Sequence, residues 1–153
     1  MRIKIVNCFD PIGYELTNYL LNQDAEIIGI DDIDDKQKLF YYEMVGRHAH
    51  FTFLDLSSKN KVLRDVPITY EINQGKKSIS YFHSGNEKCS EINFEHVQIT
   101  SLNIPQRVEG NDKLVEVAFD SFVRWLASLS KYSDLPNKMT LFSNKMDGIY
   151  LLN

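Results

Sequence analysis

No apolar stretch in this chain approaches the roughly 18 residues that a membrane-spanning helix requires. Cysteine is scarce as well. Cys8 and Cys89 are the two present, and neither has a CxxC partner, which excludes a disulfide framework and a thiol-rich zinc site. An excess of positive charge is also missing. Seventeen Lys and Arg stand against 21 Asp and Glu, leaving a formal charge of -4, so there is no basic field to hold nucleic acid. The N-terminus runs directly into an apolar β-branched segment, with no long apolar leader or small-residue cleavage site, and a cytoplasmic protein without a signal peptide is expected. No repeat, low-complexity tract or linker divides the 153 residues. They read as one domain spanning 1–153, long enough to bury about two-thirds of its unfolded surface. Hydrophobic residues at 43% and charged residues at 25% are ordinary for a soluble globular chain.

The first 32 residues carry the clearest organisation. Residues 2–6 (RIKIV) form a compact β-branched run suited to a buried strand. A turn at 7–12 (NCFDPI) follows, then Gly13 and a helical segment over 14–22, in which Leu16, Tyr19 and Leu20 share a side with Ile12. A second apolar run at 25–30 (AEIIGI) stops at Asp31 and Asp32. Strand, turn, helix, strand and acid is the order of a βαβ nucleotide site. The glycines that would bring the backbone close to a pyrophosphate are mostly missing, with Asn7 and Asp10 at two of their positions.

Further along, residues 36–44 (KQKLFYYEM) predict a second helix with an acidic approach that suits its N-terminus. Residues 51–54 (FTFL) predict a third strand ending at Asp55, residues 59–64 a short helix, and residues 68–72 (ITYEI), after Pro67, a fourth strand. Residues 78–82 (SISYF) and 92–100 (INFEHVQIT) both alternate like strands. They form either a meander or, in one of them, the true fourth strand of the sheet. From Asn111 or Asp112 to Lys131 a long helix is predicted, on the stripe Val115, Ala118, Phe119, Phe122, Leu126 and Leu129. Trp125 widens that stripe. Residues 138–143 and 148–152 read as closing strands. The fold class that follows is α/β, a three-layer Rossmann-like domain with a mainly parallel sheet and the first strand central.

These residues resemble the extended short-chain dehydrogenase/reductase family, particularly its nucleotide-sugar epimerases and dehydratases. Family members open with a strand, a GxxGxxG turn ending in Ile-Gly, a helix, and a strand running into an acid. The counterpart here is RIKIVNCFDPIGYELTNYLLNQDAEIIGIDD. Ile12 and Gly13 match the end of the turn, and Asp31 matches the acid that holds the adenosine ribose in NAD-using members. FTFLDL at 51–56 resembles the third strand, which makes Asp55, with Leu56 beside it, the residues near the adenine. The resemblance covers residues 1–56. It implies cofactor-contacting roles for Ile12, Gly13, Asp31, Asp55 and Leu56, with NAD or NADP as the cofactor if one binds at all. The family's Tyr-xxx-Lys pair, in which Lys lowers the pKa of a proton-transferring Tyr, has no counterpart: none of the eight tyrosines has a Lys four residues later.

Other clusters carry less chemistry. His48 and His50, two apart beside the third strand, would share a face as a zinc pair, but no Cys or acid has ligand spacing, and two polar residues at a strand entrance is the favoured reading. Asp31, Asp32, Asp34 and Asp35 lack the loop pattern of a calcium site and read as a solvated acidic loop. Lys76 and Lys77 are too small a patch for phosphate. No catalytic residue and no metal ligand is therefore assigned. The sequence points to a degenerate, non-catalytic Rossmann-like domain acting through protein association or vestigial ligand sensing. A working NAD(P)-dependent enzyme with a partner-supplied site, and a structural oligomerisation module, are the alternatives. The expected partner is a second copy or another protein, with the aromatic segments 78–82 and 148–152 as candidate surfaces. The ligand class the fold admits is a nucleotide or sugar-nucleotide.

Overall fold

Burial alternates along the first strand, β1 (Arg2–Val6), because successive side chains of an extended chain point to opposite faces. Ile3 and Ile5 enter one hydrophobic cluster and Val6 another. The computed structural model describes residues 1–61, 63–85, 88–94, 97–100, 115–132, 135–144 and 148–152. After β1 come α1 (Pro11–Leu21), β2 (Glu26–Asp31), α2 (Lys36–Val45), β3 (Phe51–Asp55) and β4 (Ile68–Asn73). Four more strands of the main sheet, the two strands of a second small sheet and a third helix follow among the described residues: β5 (Ser78–His83), β6 (Lys88–Asn93), β7 (Val97–Thr100), β8 (Val115–Ala118), α3 (Phe119–Ala127), β9 (Lys138–Asn144) and β10 (Gly148–Leu152).

Eight strands form one mixed sheet in the order β10-β9-β6-β5-β4-β1-β2-β3. β1 is flanked by β2 and β4, both parallel to it, and β3 extends β2 in parallel. β4, β5 and β6 form an antiparallel meander, β9 joins β6 in parallel, and β10 closes the edge antiparallel to β9. The chain is thus an α/β protein with a mostly parallel mixed sheet. The parallel strands predicted at 2–6, 26–30 and 51–54 are present, and the fourth parallel strand is the one beginning at Ile68.

One face of the sheet carries all three α-helices of the described residues. Ile3, Ile5, Ile27, Ile68, Tyr70 and Ile72 point into a single cluster with Leu16 and Leu20 of α1, Val45 of α2, and Phe122 and Leu126 of α3. The other face is thinly covered. Val6, Ile28 and Ile30 are buried there under Leu54, Leu56, Leu63 and Val66. The cover is a 3-10 turn (Leu56–Ser58) and irregular chain, tied down where Lys4 Nζ donates to the Lys59 carbonyl at 2.7 Å and Arg2 to the Arg64 carbonyl at 3.3 Å.

Several predicted elements differ from what forms. α1 starts at Pro11 rather than 14, because the Asp10 side chain caps it and proline suits the first helical turn. Among the described residues 59–64 hold no helix; Asp55 instead caps the 3-10 turn, Asp65 adopts φ 60, and Pro67 follows. The predicted strand over 92–100 is two strands in different sheets, β6 ending at Asn93 and β7 starting at Val97. Of the predicted helix over 111–131, the described residues are α-helix over Phe119–Ala127 and 3-10 helix over Ser128–Lys131. Val115–Ala118 is β8, paired in parallel with Val97–Thr100, where the β-branched Val115 and Val117 suit an extended chain. Residues 111–114 and the Phe119 side chain lie outside the described ones, and so does His96. Phe122 and Leu126 are buried as the stripe predicts, with Trp125 half-buried and stacked on Phe122 at a ring distance of 6.2 Å. His48 and His50 are exposed in the turn before β3 rather than on it, and the His48 ring accepts the His50 N–H at 3.2 Å.

Candidate functional site

A pocket of about 410 Å³ opens at the carboxyl ends of β1, β2 and β4, where the chain leaves β1 on one side and β4 on the other. Its walls come from the β1–α1 turn (Asn7, Phe9, Asp10, Pro11), the end of β2 (Asp31), the start of α2 (Asp35, Gln37, Lys38) and the end of β4 (Ile72, Asn73, Gly75). In open α/β sheets this crevice, at the strand where the winding direction reverses, is where ligands bind.

The turn solves its geometry with a different set of residues from a glycine-rich one. Asn7 adopts φ 61, the left-handed region that Asn tolerates better than most side chains. Its side-chain amide donates to the Ile72 carbonyl at 2.6 Å, clamping the turn to β4. Asp10 then caps α1, its carboxylate accepting the Ile12 N–H at 2.9 Å. Gly13 is needed for packing. A Cβ there would collide with the Asn7 carbonyl oxygen and meet Cys8 Cα at 3.0 Å.

Asp31 is the centre of the pocket's charge. Only 2% exposed, its carboxylate accepts the Phe9 N–H at 2.9 Å through one oxygen. The other oxygen accepts the Asp32 N–H at 2.7 Å and pairs with Lys38 Nζ at 3.1 Å. Lys38 also reaches Asp34 at 3.2 Å, while Asp35 caps α2 by accepting the Lys38 N–H at 2.7 Å. Burial pulls the Lys38 ammonium down, but the Asp31 and Asp34 carboxylates outweigh it and hold its pKa above the ordinary lysine value. Beneath the turn, burial pushes the Cys8 thiol up, and the Asp31 charge adds to the effect, so this sulfur stays protonated.

Of the five residues predicted to contact a cofactor, Asp31 alone lines this pocket. Ile12 is buried in the core and Gly13 packs against the turn. Asp55, at the end of β3, accepts the Ser57 N–H at 3.2 Å, and Leu56 packs on the thinly covered face. Phe9, Gln37, Lys38, Ile72 and Asn73 line the pocket without having been singled out. Among the described residues, no three His, Cys, Asp or Glu side chains come together as a metal site. The lining supplies carboxylates, amides and an ammonium, groups that can bind and orient a polar molecule. Comparison with protein families, with curated proteins and with solved structures finds no match to this chain. The pocket therefore has to be read from its own chemistry. Among the described residues no helix is long and apolar enough to cross a membrane.

Proposed function

We propose that this chain is a Rossmann-like domain with its helices on one face of the sheet, in place of the expected three layers, built like the opening of the nucleotide-sugar epimerases and dehydratases, that has lost the dinucleotide grip and acts without catalysis through protein association. The order β3-β2-β1-β4 and the crevice at the strand ends support the fold reading. A single observation carries the functional one. The Asp31 carboxylate, at the position that would hold a ribose, is already occupied by two backbone N–H groups and Lys38. The same holds at the helix N-terminus, where a diphosphate would sit. Asp10 fills it with negative charge, and Pro11 has no N–H to offer. The free thiols Cys8 and Cys89 suit a reducing compartment, and we place the protein in the cytoplasm.

Isothermal calorimetry with NAD and NADP tests this. No binding tighter than about 1 mM, a free energy near -4.1 kcal/mol, is expected. Micromolar affinity for either would overturn the reading and favour an NAD(P)-dependent enzyme with a partner-supplied site. Asn7→Gly combined with Asp10→Gly sharpens the test, since recovered affinity would show that the crevice survives under a decayed turn. The pocket's size favours a second reading, the sensing of a small nucleotide or sugar-nucleotide, because its volume falls within the range of small-molecule sites. A thermal-shift panel of UDP-sugars separates the two readings. Ligand at a hundred times its dissociation constant stabilises the fold by about 2.7 kcal/mol.

A further inference from the structure

Helix α2 turns its solvent face the wrong way for a surface helix. Phe40 is 55% and Met44 60% exposed, and Leu39 beside them is also exposed. Together with Ile33 they place four of the large exposed apolar side chains of the described residues within residues 33–44. At 100° per residue, Lys36, Phe40 and Glu43 run in one line along that face, with Leu39 and Met44 on either side. The opposite face holds Val45, buried, and Tyr41 and Tyr42, stacked or edge-on against Tyr14, Phe9 and Phe53. The inner face anchors the helix through Val45 and these two rings, and the outer apolar residues take no part in that packing.

The aromatic segment over 78–82 does not offer such a surface. β5 is an interior strand between β4 and β6, with Ser78, Ile79 and Tyr81 buried and Phe82 alone exposed. The side chains of 148–152 lie outside the described ones.

The charges on the α2 face say what covers it. Lys36 and Glu43 make no ion pair among the described residues, and two helical turns separate them, too far to pair with each other. We infer that the outer face of α2 docks on the same face of a second copy, the two helices antiparallel about a two-fold axis. In that arrangement Lys36 of each copy meets Glu43 of the other, and Phe40 packs on Leu39 across the axis. A two-fold contact uses the same patch twice, so every pairing forms in duplicate. A parallel arrangement would instead set Lys36 on Lys36 and Glu43 on Glu43. The pattern is self-complementary in one orientation only. A ten-residue helix is about 15 Å long, and a contact of that length buries less than the roughly 1,200 Å² of a stable interface. The dimer is accordingly weak and dependent on concentration.

This rests on the reading of the chain as an associating domain. The test is sedimentation velocity of the full chain across a range of concentrations, with circular dichroism confirming the fold of each variant. The wild type should shift reversibly from monomer to dimer. Phe40→Glu should weaken the dimer at least about ten-fold, as loss of a central aromatic contact does. Lys36→Glu or Glu43→Lys alone should weaken it several-fold by setting like charges opposite each other, and the two together should restore it. A strict monomer at the highest concentration, a dimer indifferent to Phe40→Glu, or a double reversal that fails to restore association each overturns the proposal. Capture of a different protein through this face by a chain that stays monomeric overturns it too. A monomer that binds no NAD removes the dimer and leaves the reading of the crevice standing; a dimer that binds NAD tightly does the reverse.

Discussion

The two faces of the sheet are built to different standards. On one, α1, α2 and α3 close over strands β1 to β6 and β9, and Phe122 is fully buried between Phe94, at a ring distance of 5.8 Å, and Trp125. On the other, Val6, Ile28 and Ile30 are sealed by a 3-10 turn and loop held at points by Lys4 and Arg2. The difference is one of how freely each cover can relax. Helices locked by their own hydrogen bonds leave a cavity when a side chain is removed, whereas irregular chain can settle into it.

The largest expected effect breaks the thick face. Phe122→Ala should cost about 3–5 kcal/mol in urea denaturation, because the rigid surround retains the void. Ile30→Ala removes an equally inaccessible side chain from the thin face and should cost only about 2 kcal/mol, the low end for such a truncation. Equal losses at the two sites would show that the irregular cover is as rigid as the helices.

A finer comparison lies within the thick face, between two neighbouring tyrosines whose rings are 5.1 Å apart. The Tyr70 hydroxyl donates to the Leu126 carbonyl at 2.6 Å, joining β4 to α3. The Tyr81 hydroxyl is buried with no hydrogen-bond partner among the described residues. Tyr70→Phe should therefore cost about 1–2 kcal/mol, and Tyr81→Phe should gain about 1 kcal/mol by removing a stranded polar group. The smallest effect is on pH dependence. Burial pushes Tyr81 from 10.0 up to about 12. The folded state thus holds this proton more tightly than the unfolded state, so the contribution is complete below pH 10.0 and is lost as pH rises toward about 12. Tyr81→Phe should flatten that part of a stability-against-pH curve, and an unchanged curve would assign the alkaline loss to other groups.

Legibility in the sequence follows how local each determinant is. The first three parallel strands were readable because each is a short apolar run bounded by a turn or an acid and alternates with helical segments, whereas the run at 68–72 competed with 78–82 and 92–100 for the fourth place, which periodicity alone does not decide. Gly13 was readable as the glycine that ends the turn, and the collision that a Cβ would make there shows its packing role. Asn7 and Asp10 were visible as departures from a glycine turn. What they do in exchange, a left-handed residue clamped to Ile72 and a helix cap, depends on β4 lying alongside, which no local spacing reveals. Lys38 was invisible for the same reason. It lies in the first turn of a helix, where a solvated lysine is ordinary, and only the fold brings it onto Asp31. The stripe over 115–129 shows the opposite failure. Its apolar spacing continues a helix pattern backwards through Val115 and Val117, but a parallel partner at Val97–Thr100 claims those residues as strand.

The strand order also bears on the sequence of events as the chain leaves the ribosome. β1 finds both of its neighbours, β2 and β4, within the first 73 residues, so the centre of the sheet can assemble before the rest of the polypeptide exists. β9 cannot follow that schedule. Its register sets Lys138 beside Glu91, a closure that waits for nearly the whole chain and must cross the loop entropy of everything between. Until it arrives, the outer edge of β6 stands open to any extended segment nearby, and a nascent chain stalled before residue 138 should be the form most prone to aggregate. Arrest at defined lengths followed by sedimentation of the released chains would reveal it as a peak in pelleted material.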